Sequence, residues 1–446
     1  MNSNRILWRA FFVAMAVLST IGISGQALAA AESAVFDFNG TDGAFIYSSL
    51  ISDGTNLYGT ANATIPAYLG IVFELSPPAS GKEPWKETIL YSFTGGSGGY
   101  NPYAGLVRDS KGNLYGTAAY GGYRDGSLCS GGCGTVFELS PPSERGASWT
   151  ETTLYQFKGS TDGAGPMGSL IFDPAGNLYG TTQNGGDEYV CCGTAFELSP
   201  PSAEGGDWSE TVLHDFAGGS DGENPVAALY RDAKGNLYGT TQFGGAASGN
   251  GTIFRLSPTS GGTWTEDILH SFALSTDGGT PFDPLIEHDG AFYGTAALGG
   301  NLDDCYELGI TVGCGTVFKL VVGPGGEVNF SVLYAFEGST DGWFPKAGVV
   351  FHASGNLYGG TLYGGDLSKK GCITPYYAGC GVVFELSPQT GGAWKETVLH
   401  TFELSDGYEP RATLLLSHDN LWGTTVQGGG SSTCPLGCGG VFELVP

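Results

Sequence analysis

The apolar and polar positions of this chain repeat in units of 55 to 65 residues. The most regular segment reads Asn-Leu-Tyr-Gly-Thr and occurs seven times with small changes. Its aromatic position is held in turn by Tyr58, Tyr115, Tyr179, Tyr238, Tyr293, Tyr358 and Trp422. Self-similarity at this spacing is typical of propellers, solenoids and arrays, because one unit cannot bury its apolar face alone.

Each repeat contains four short segments that alternate apolar and polar residues and are separated by Gly and Pro. In one repeat these are a first strand at Ala104–Val107, the motif around Tyr115, and a third strand at Thr135–Leu139; the fourth resembles Thr88–Phe93 of the preceding repeat. Runs rich in aromatic and β-branched residues, bounded by Gly and Pro, predict strands. No sustained helical period follows residue 29.

The two ends of the pattern predict how the repeats close. Val35–Phe38 copies a fourth strand before the first repeat begins, and Val441–Leu444 copies a third strand at the end. Seven third and seven fourth strands exist only if the N-terminal strand completes the last blade, which leaves no unpaired seam. The sequence therefore predicts an all-β, seven-bladed β-propeller of four-stranded blades that occupies residues 30–446 as one domain.

Residues 1–29 have the pattern of a secretory signal peptide. Arg5 and Arg9 precede and border an apolar run, and Ala27-Leu28-Ala29 supplies small residues for cleavage. The run is too short and interrupted for a membrane span, and we expect no other span and no C-terminal anchor. The prediction is an exported monomer, periplasmic or extracellular.

The net charge of the chain limits the classes of molecule that it is expected to bind. The chain carries 18 Lys and Arg against 44 Asp and Glu, a net charge of −26. Loss of Arg5 and Arg9 with the signal peptide makes this −28. Nucleic acids and anionic membranes need basic patches, so both are excluded as expected partners. The expected partner is therefore an extracellular polysaccharide or a protein.

Ten cysteines fall in five close pairs, each ending just before a glycine that opens a third strand. The pairs are Cys129 and Cys133, Cys191 and Cys192, Cys305 and Cys314, Cys372 and Cys380, and Cys434 and Cys438. An even number and an export signal predict five local disulfides within loops. Metal binding is the alternative, but no histidine stands at a zinc-site spacing from any pair.

The repeat also resembles a known family. Asn-Leu-Tyr-Gly-Thr, the Gly-Gly loop, Gly-Thr-Val-Phe-Glu-Leu-Ser-Pro and the Asp-Gly turn are similar to the GloVer tandem repeats of exported bacterial proteins, over essentially the whole chain after residue 29. The resemblance implies export and repeat architecture, and it implies no activity. Members often carry a C-terminal surface anchor, which is not expected here.

Two sets of loops emerge on one face of such a propeller: those joining second to third strands, and those joining each blade to the next. They hold the cysteines and most of the length variation, so we predict the binding site there. The candidate ligand-binding residues are Tyr120, Tyr123, Tyr189, Asp303, Asp304, Tyr306, Trp343, Tyr363, Tyr376 and Tyr377. Aromatic rings beside carboxylates suit sugars. The alternative is that these aromatics pack over the disulfides and fill gaps between blades.

A recurring Asp-Gly allows two interpretations. It occurs at Asp42, Asp162, Asp221, Asp277, Asp341 and Asp406. The simpler interpretation is an Asx turn followed by a glycine at positive φ. The functional one is an acidic ring at the channel mouth that takes Ca²⁺ or a cationic partner. Calcium is the one candidate cofactor.

These features favour a binding or interaction module, with carbohydrate or another extracellular polymer as the ligand. A carbohydrate-active hydrolase or lyase and a structural or adhesive surface component are the alternatives. No Ser-His-Asp order, phosphate loop or dinucleotide fingerprint occurs in the sequence, so no catalytic residue is assigned. Asp303 and Asp304 would be the first carboxylates to test for glycosidase chemistry.

Overall fold

Seven four-stranded antiparallel sheets make up the protein, and no α-helix occurs among the residues described. The computed structural model describes residues 30–79, 84–124, 129–144, 146–186, 191–203, 205–246, 249–302, 305–307, 310–368, 372 and 379–446. The predicted signal peptide lies outside these residues. The predicted seven-bladed β-propeller is confirmed.

The strands are numbered in chain order, and each blade contains one strand of each of four kinds. The first strands are β2 (Ile51–Ser52), β6 (Val107–Arg108), β10 (Ile171–Phe172), β14 (Tyr230–Arg231), β18 (Ile286–His288), β24 (Val350–Phe351) and β28 (Leu415–Ser417). The second strands are β3 (Leu57–Ala61), β7 (Leu114–Ala118), β11 (Leu178–Thr182), β15 (Leu237–Thr241), β19 (Ala291–Ala296), β25 (Leu357–Thr361) and β29 (Asn420–Thr425). The third strands are β4 (Ile71–Ser76), β8 (Thr135–Ser140), β12 (Thr194–Ser199), β16 (Thr252–Pro258), β22 (Thr316–Val322), β26 (Val382–Pro388) and β30 (Gly440–Val445). The fourth strands are β5 (Lys86–Ser92), β9 (Thr150–Gln156), β13 (Ser209–Asp215), β17 (Trp264–Ser271), β23 (Val328–Ala335), β27 (Trp394–Thr401) and β1 (Ala31–Asp37).

A few elements lie outside this scheme. A small hairpin of β20 (Tyr306–Glu307) and β21 (Ile310–Thr311) stands in the loop between β19 and β22. Two single 3₁₀ turns cover Gly96–Gly98 and Gly219–Asp221. Blades are numbered from blade 1, which holds β2 to β5, to blade 7, which holds β28, β29, β30 and β1.

The N-terminal strand completes the last blade, as predicted. Strand β1 pairs antiparallel with β30, with Ala31 opposite Val445 and Asp37 opposite Gly440. The order in this sheet is β1-β30-β29-β28, so the two ends of the described chain lie in one sheet. The ring is closed by the same ladder hydrogen bonds that hold every other blade together.

The first strands are shorter than the sequence predicts. A strand was expected over Ala104–Val107, but the ladder covers only Val107 and Arg108, opposite Tyr115 and Leu114. The backbone of residues 104–106 is buried near the axis, where carbonyls face the neighbouring blade instead of the second strand. In blade 1, Thr60 Oγ1 donates a hydrogen bond to the Ala104 carbonyl of blade 2 at 3.0 Å.

The glycine of Asn-Leu-Tyr-Gly-Thr is required by close packing within the blade. A Cβ on Gly180 would lie 2.6 Å from Cζ of Phe196, the buried phenylalanine of the third strand. The equivalent contact lies between 2.2 and 2.6 Å in all seven blades. The third-strand phenylalanine therefore covers the second strand only because that position has no side chain, which explains why the two residues recur together.

All five predicted disulfides are present, including the bond between the adjacent Cys191 and Cys192. Among the described residues no cysteine is free. None of the described helical segments has the length and apolar character needed to cross a bilayer. The disulfides are compatible with the predicted export.

Candidate functional site

One position of the repeat changes chemistry from blade to blade, although its neighbours do not. It follows a proline in six of the seven blades and directly precedes the segment that leads into the first strand. Its occupants, here called the variable ring, are Tyr47, Tyr103, Met167, Val226, Phe282, Lys346 and Arg411. All seven side chains line one cavity on the propeller axis. Variation among otherwise repeated, rigidly held positions is where a binding site is expected.

Residues two positions further along the chain, most of them small, also line the cavity. Gly105 shows how tightly these segments meet: a Cβ there would lie 2.5 Å from Ser49 Oγ and 3.1 Å from Ser169 Oγ. The first-strand segments of three blades therefore contact one another around the axis. The cavity has a volume of about 690 Å³, within the range of small-molecule sites.

One side of the variable ring combines aromatic rings with two cations. The rings of Tyr47 and Tyr103 lie 5.1 Å apart, and the Arg411 guanidinium lies 5.0 Å from the centre of the Tyr47 ring. Lys346 Nζ lies 3.8 Å from the centre of the Phe282 ring. Contacts of this kind hold a cation against an aromatic face without neutralising its charge.

Asp283 is the one acidic residue that lines the cavity in the described part of the chain. Burial raises the pKa of Asp283 to about 7, against the charge of Arg411, the Gly348 amide and the charge of Lys346, which lower it. Its Oδ2 atom is buried and has no hydrogen-bond partner in the described part of the chain. The residue is partly exposed and lines the cavity.

The opposite side of the cavity is apolar with two amides. Met167 and Val226 belong to the variable ring there, and Gln183 and Gln242 reach the wall from the ends of the second strands of blades 3 and 4. Amides orient hydroxyl groups by donating and accepting hydrogen bonds. The cavity thus offers stacking surfaces, amides and an excess of positive charge in a chain of net charge −26.

The predicted ligand-binding residues with described side chains lie apart from this cavity, although the variable ring stands in the blade-to-blade loops of the predicted face. None of these four residues, Tyr120, Tyr123, Trp343 and Tyr363, lines the cavity. Tyr120 and Tyr123 are exposed by 37% and 47%, whereas Trp343 and Tyr363 are exposed by only 6% and 9%. For the buried pair the packing alternative fits better, since their rings lie 5.8 Å apart.

The other predicted ligand-binding residues have no described side chain. Tyr189, Asp303, Asp304, Tyr376 and Tyr377 lie outside the described residues. Tyr306 belongs to strand β20, but the placement of its side chain is not described. These residues stay predictions, as does the suggestion that Asp303 and Asp304 are catalytic.

The Asp-Gly aspartates cap the turns in which they stand. Asp162 Oδ1 accepts hydrogen bonds from the backbone amides of Lys158 at 2.9 Å and Gly159 at 3.1 Å. The other five also have a carboxylate oxygen near a backbone amide three or four residues earlier. None of the six lines the axial cavity. The turn explains both residues of the pair, and the calcium hypothesis stays a prediction.

The repeated positions of the sequence do not reveal the axial cavity, because the residues of the variable ring differ between repeats. Alignment of repeats draws attention to positions that recur, while the variable ring stands at the one position where tyrosine, methionine, lysine and arginine alternate. The signal that could have found it is the residue after the proline, as in Pro345-Lys346 and Pro410-Arg411. Its place before each first strand puts it at the axis of any propeller.

Comparison with known proteins supports the repeat assignment. Residues 124–306 match the family profile of the Gloeobacter/Verrucomicrobia repeat, which confirms the predicted resemblance. No curated protein matches the chain. Among solved structures, a protein of unknown function from Dyadobacter fermentans DSM 18053 aligns with a TM-score of 0.39 and 11% identity, over 82% of this chain and 96% of that one.

Proposed function

We propose that this chain, which carries the Gloeobacter/Verrucomicrobia repeat over residues 124–306, is a binding module that takes an acidic sugar of an extracellular carbohydrate into its axial cavity. The propeller fold, the disulfides and the repeat are those of an interaction module that works outside the cytoplasm. The ligand is inferred from the chemistry of the cavity wall.

The observation that carries the proposal is the placement of Arg411 and Lys346 in the variable ring. Only 18 residues of the chain are Lys or Arg, and two of them line this one cavity, where Asp283 is the one carboxylate among the described lining residues. Both cations are partly buried, where they attract an anionic ligand more strongly than cations in open water do. A guanidinium beside a tyrosine ring suits the carboxylate of a uronic acid, whose sugar ring stacks on the aromatic face.

The size and polarity of the cavity fit the same ligand class. A volume of about 690 Å³ accommodates roughly one or two sugar rings. Gln183 and Gln242 stand where hydroxyl groups of such a ring need hydrogen-bond partners. The negative charge of the rest of the chain opposes an acidic ligand only at long range, because the screening length is about 8 Å at physiological ionic strength.

Calorimetric titration of the oxidised chain from residue 30 onwards tests the proposal. The probes are oligosaccharides that end in glucuronate or galacturonate and their neutral glucose and galactose counterparts. We expect saturable binding of the acidic set only. Arg411→Met and Lys346→Met should each weaken it at least tenfold, whereas Lys111→Met, which removes the same charge from an exposed turn, should leave it unchanged.

Two results would overturn the proposal. Equal binding of neutral and acidic sugars would remove the role of the cations. Absence of binding to every sugar would move the function to a protein partner or to a structural role at the cell surface.

The environment of Asp283 favours a second candidate, in which the same cavity cleaves the sugar it binds. A carboxyl whose pKa is about 7 can hold or release a proton under physiological conditions, as a general acid or base must. Asp283 is therefore the catalytic residue to test in a carbohydrate-active enzyme. Release of new reducing ends or unsaturated products from a bound sugar, lost in Asp283→Asn, would support this candidate over the binding module.

A further inference from the structure

The junctions between neighbouring blades carry a second set of polar side chains, far from the axis. At six of the seven junctions a residue of one fourth strand and the aspartate of the following Asp-Gly turn stand beside the fourth strand of the next blade. Four junctions with described contacts place a glutamate of that next strand against the aspartate: Glu87 with Asp42, Glu210 with Asp162, Glu266 with Asp221, and Glu396 with Asp341. A fifth places Glu32 against Asp406.

Two of these junctions also contain a histidine. Between blades 3 and 4, His214 Nε2 lies 3.3 Å from Asp221 Oδ2 and 3.6 Å from Glu266 Oε1. Between blades 6 and 7, His400 Nε2 lies 3.3 Å from Asp406 Oδ2, with Glu32 beside both. In each set the three ligand atoms lie within 4.8 Å of one another.

Asp221 and Asp406 also accept a backbone amide of their own turns, whereas other polar atoms of the two sets are not bonded. Glu266 Oε1, Glu32 Oε1 and His400 Nε2 are buried atoms without a hydrogen-bond partner in the described part of the chain. The Glu266 side chain is only 11% exposed. Buried polar atoms are normally bonded, and a cation would satisfy these three. Among the described residues the same glutamate oxygen also lacks a partner in Glu87, Glu210 and Glu396, so the nearby histidine is what distinguishes the two sets as metal-binding clusters.

We propose that the junctions of blades 3 and 4 and of blades 6 and 7 each bind one divalent transition metal ion, of which Zn²⁺ is the best match. The ligands are His214, Asp221 and Glu266 in one site and His400, Asp406 and Glu32 in the other. Imidazole and carboxylate are ordinary zinc ligands. A tetrahedral ion about 2.1 Å from each ligand holds neighbouring ligand atoms about 3.4 Å apart, close to the 3.3 and 3.6 Å separations in the first site.

Such an ion would link adjacent blades at their outermost strands. Glu266 belongs to β17 and His214 to β13, so both blades contribute to the first site; β1 and β27 contribute in the same way to the second. Three protein ligands leave the fourth position for water or an external group. The metal is placed at the perimeter, and it has no part in the sugar-binding proposal.

Three of the remaining junctions lack one of the proposed ligands and serve as comparisons for the two sites. Tyr155 and Tyr334 replace the histidine between blades 2 and 3 and between blades 5 and 6, and each tyrosine hydroxyl instead donates to the turn aspartate, at 2.8 and 3.0 Å. Between blades 4 and 5, His270 is present but Phe330 replaces the glutamate, and the two rings stack at 3.8 Å. The proposal therefore predicts two ions per chain and not three.

Titration with Co²⁺ tests this count, because tetrahedral Co²⁺ gives intense visible absorption bands and occupies zinc sites. The protein is the full chain from residue 30, oxidised, stripped with chelator and free of any histidine tag. We expect saturation at two equivalents, displacement by Zn²⁺, and a higher melting temperature with bound metal.

Variants copied from the other junctions separate the sites. His214→Tyr and His400→Tyr should each remove one equivalent of bound metal, and the double variant should remove both. Each substitution introduces the tyrosine that already occupies the equivalent position in other blades. His270→Tyr should leave both equivalents in place. Binding that is weak and non-saturable, or a stoichiometry that the histidine variants do not change, would overturn the proposal and leave the junctions as hydrogen-bonded carboxyl pairs.

Discussion

Thr424 in the last blade donates a hydrogen bond from Oγ1 to the backbone carbonyl of Ser48 in the first, at 3.0 Å and across 376 positions of sequence. The threonine of Asn-Leu-Tyr-Gly-Thr bonds the neighbouring blade in the same way in four other places, from Thr60, Thr117, Thr181 and Thr295. The last residue of the motif thus serves the contact between blades and not the blade that contains it.

Thr424→Val should lower the free energy of unfolding by about 1–2 kcal/mol, because the shape is kept while a buried carbonyl loses its donor. Thr240→Val is the matched control. Thr240 holds the same position in blade 4, but its Oγ1 atom is buried without a hydrogen-bond partner in the described part of the chain. Its replacement should be neutral or stabilising. Urea unfolding measures both, and equal losses in the two variants would contradict this role of the hydroxyl.

Gly180→Ala should be destabilising by about 1–3 kcal/mol, because the new Cβ would lie 2.6 Å from Phe196 Cζ and 2.9 Å from Leu170 Cδ2. Gly180 has no positive φ that would strain an alanine, so the clash alone causes the loss. Adding Phe196→Leu should recover part of it. A double-mutant cycle gives the measurement, and strictly additive losses would argue against direct contact.

Stability should fall as pH rises through the range in which Glu87 ionises. Burial, reinforced by the charge of Asp42, raises the pKa of Glu87 from 4.5 to about 8. The folded chain therefore holds a proton that the unfolded chain has lost, and this contribution disappears as pH rises from about 4.5 through about 8. Glu87→Gln removes the ionisation, so its melting temperature relative to the parent should increase between pH 5 and pH 8.5.

The exposed Glu144 provides the comparison for this effect. Glu144→Gln should change the melting temperature equally at both pH values. A Glu87→Gln difference that is independent of pH would show that the carboxyl ionises normally in the folded protein.

Asp162→Ala should destabilise the protein more than loss of an ordinary surface charge, by about 2–4 kcal/mol. The Asp162 side chain accepts from the Tyr155 hydroxyl and from two backbone amides, and the residue is 6% exposed. Asp162→Asn keeps one acceptor oxygen and should lose less. Asp289, whose side chain is 92% exposed, is the control, and thermal unfolding that ranks its alanine variant beside Asp162→Ala would contradict the capping role.

The architecture could be predicted because each residue of the Asn-Leu-Tyr-Gly-Thr motif has one physical role that returns in nearly every blade. Gly180 makes room for Phe196, and Thr181 bonds the Ala227 carbonyl of the next blade at 3.1 Å. A structural role that returns in nearly every blade keeps the same residue at that position in nearly every repeat. Counting fourth strands predicted even the pairing of β1 with β30.

The candidate site could not be predicted in this way. The chemistry of the axial cavity depends on Arg411 meeting Tyr47 across the junction of the last and first blades, which are distant in sequence. The perimeter clusters likewise combine His214 with Glu266 of another blade. Such pairs appear only when the ring is assembled, whereas loop tyrosines such as Tyr363 looked available in sequence and are buried in the fold.

Because β1 and β30 share one sheet, proteolysis near either end of the propeller opens the same blade, and loss of β30 also unpairs β29. A cut that frees Ala31–Asp37 and a cut that frees Gly440–Val445 open the same seam, since each removes one side of the same ladder. During synthesis the early strand must also wait for its partner until the whole ring has emerged. A nascent or clipped chain therefore exposes an unpaired strand edge at this blade, where a second molecule can insert its own strand and exchange ends with it.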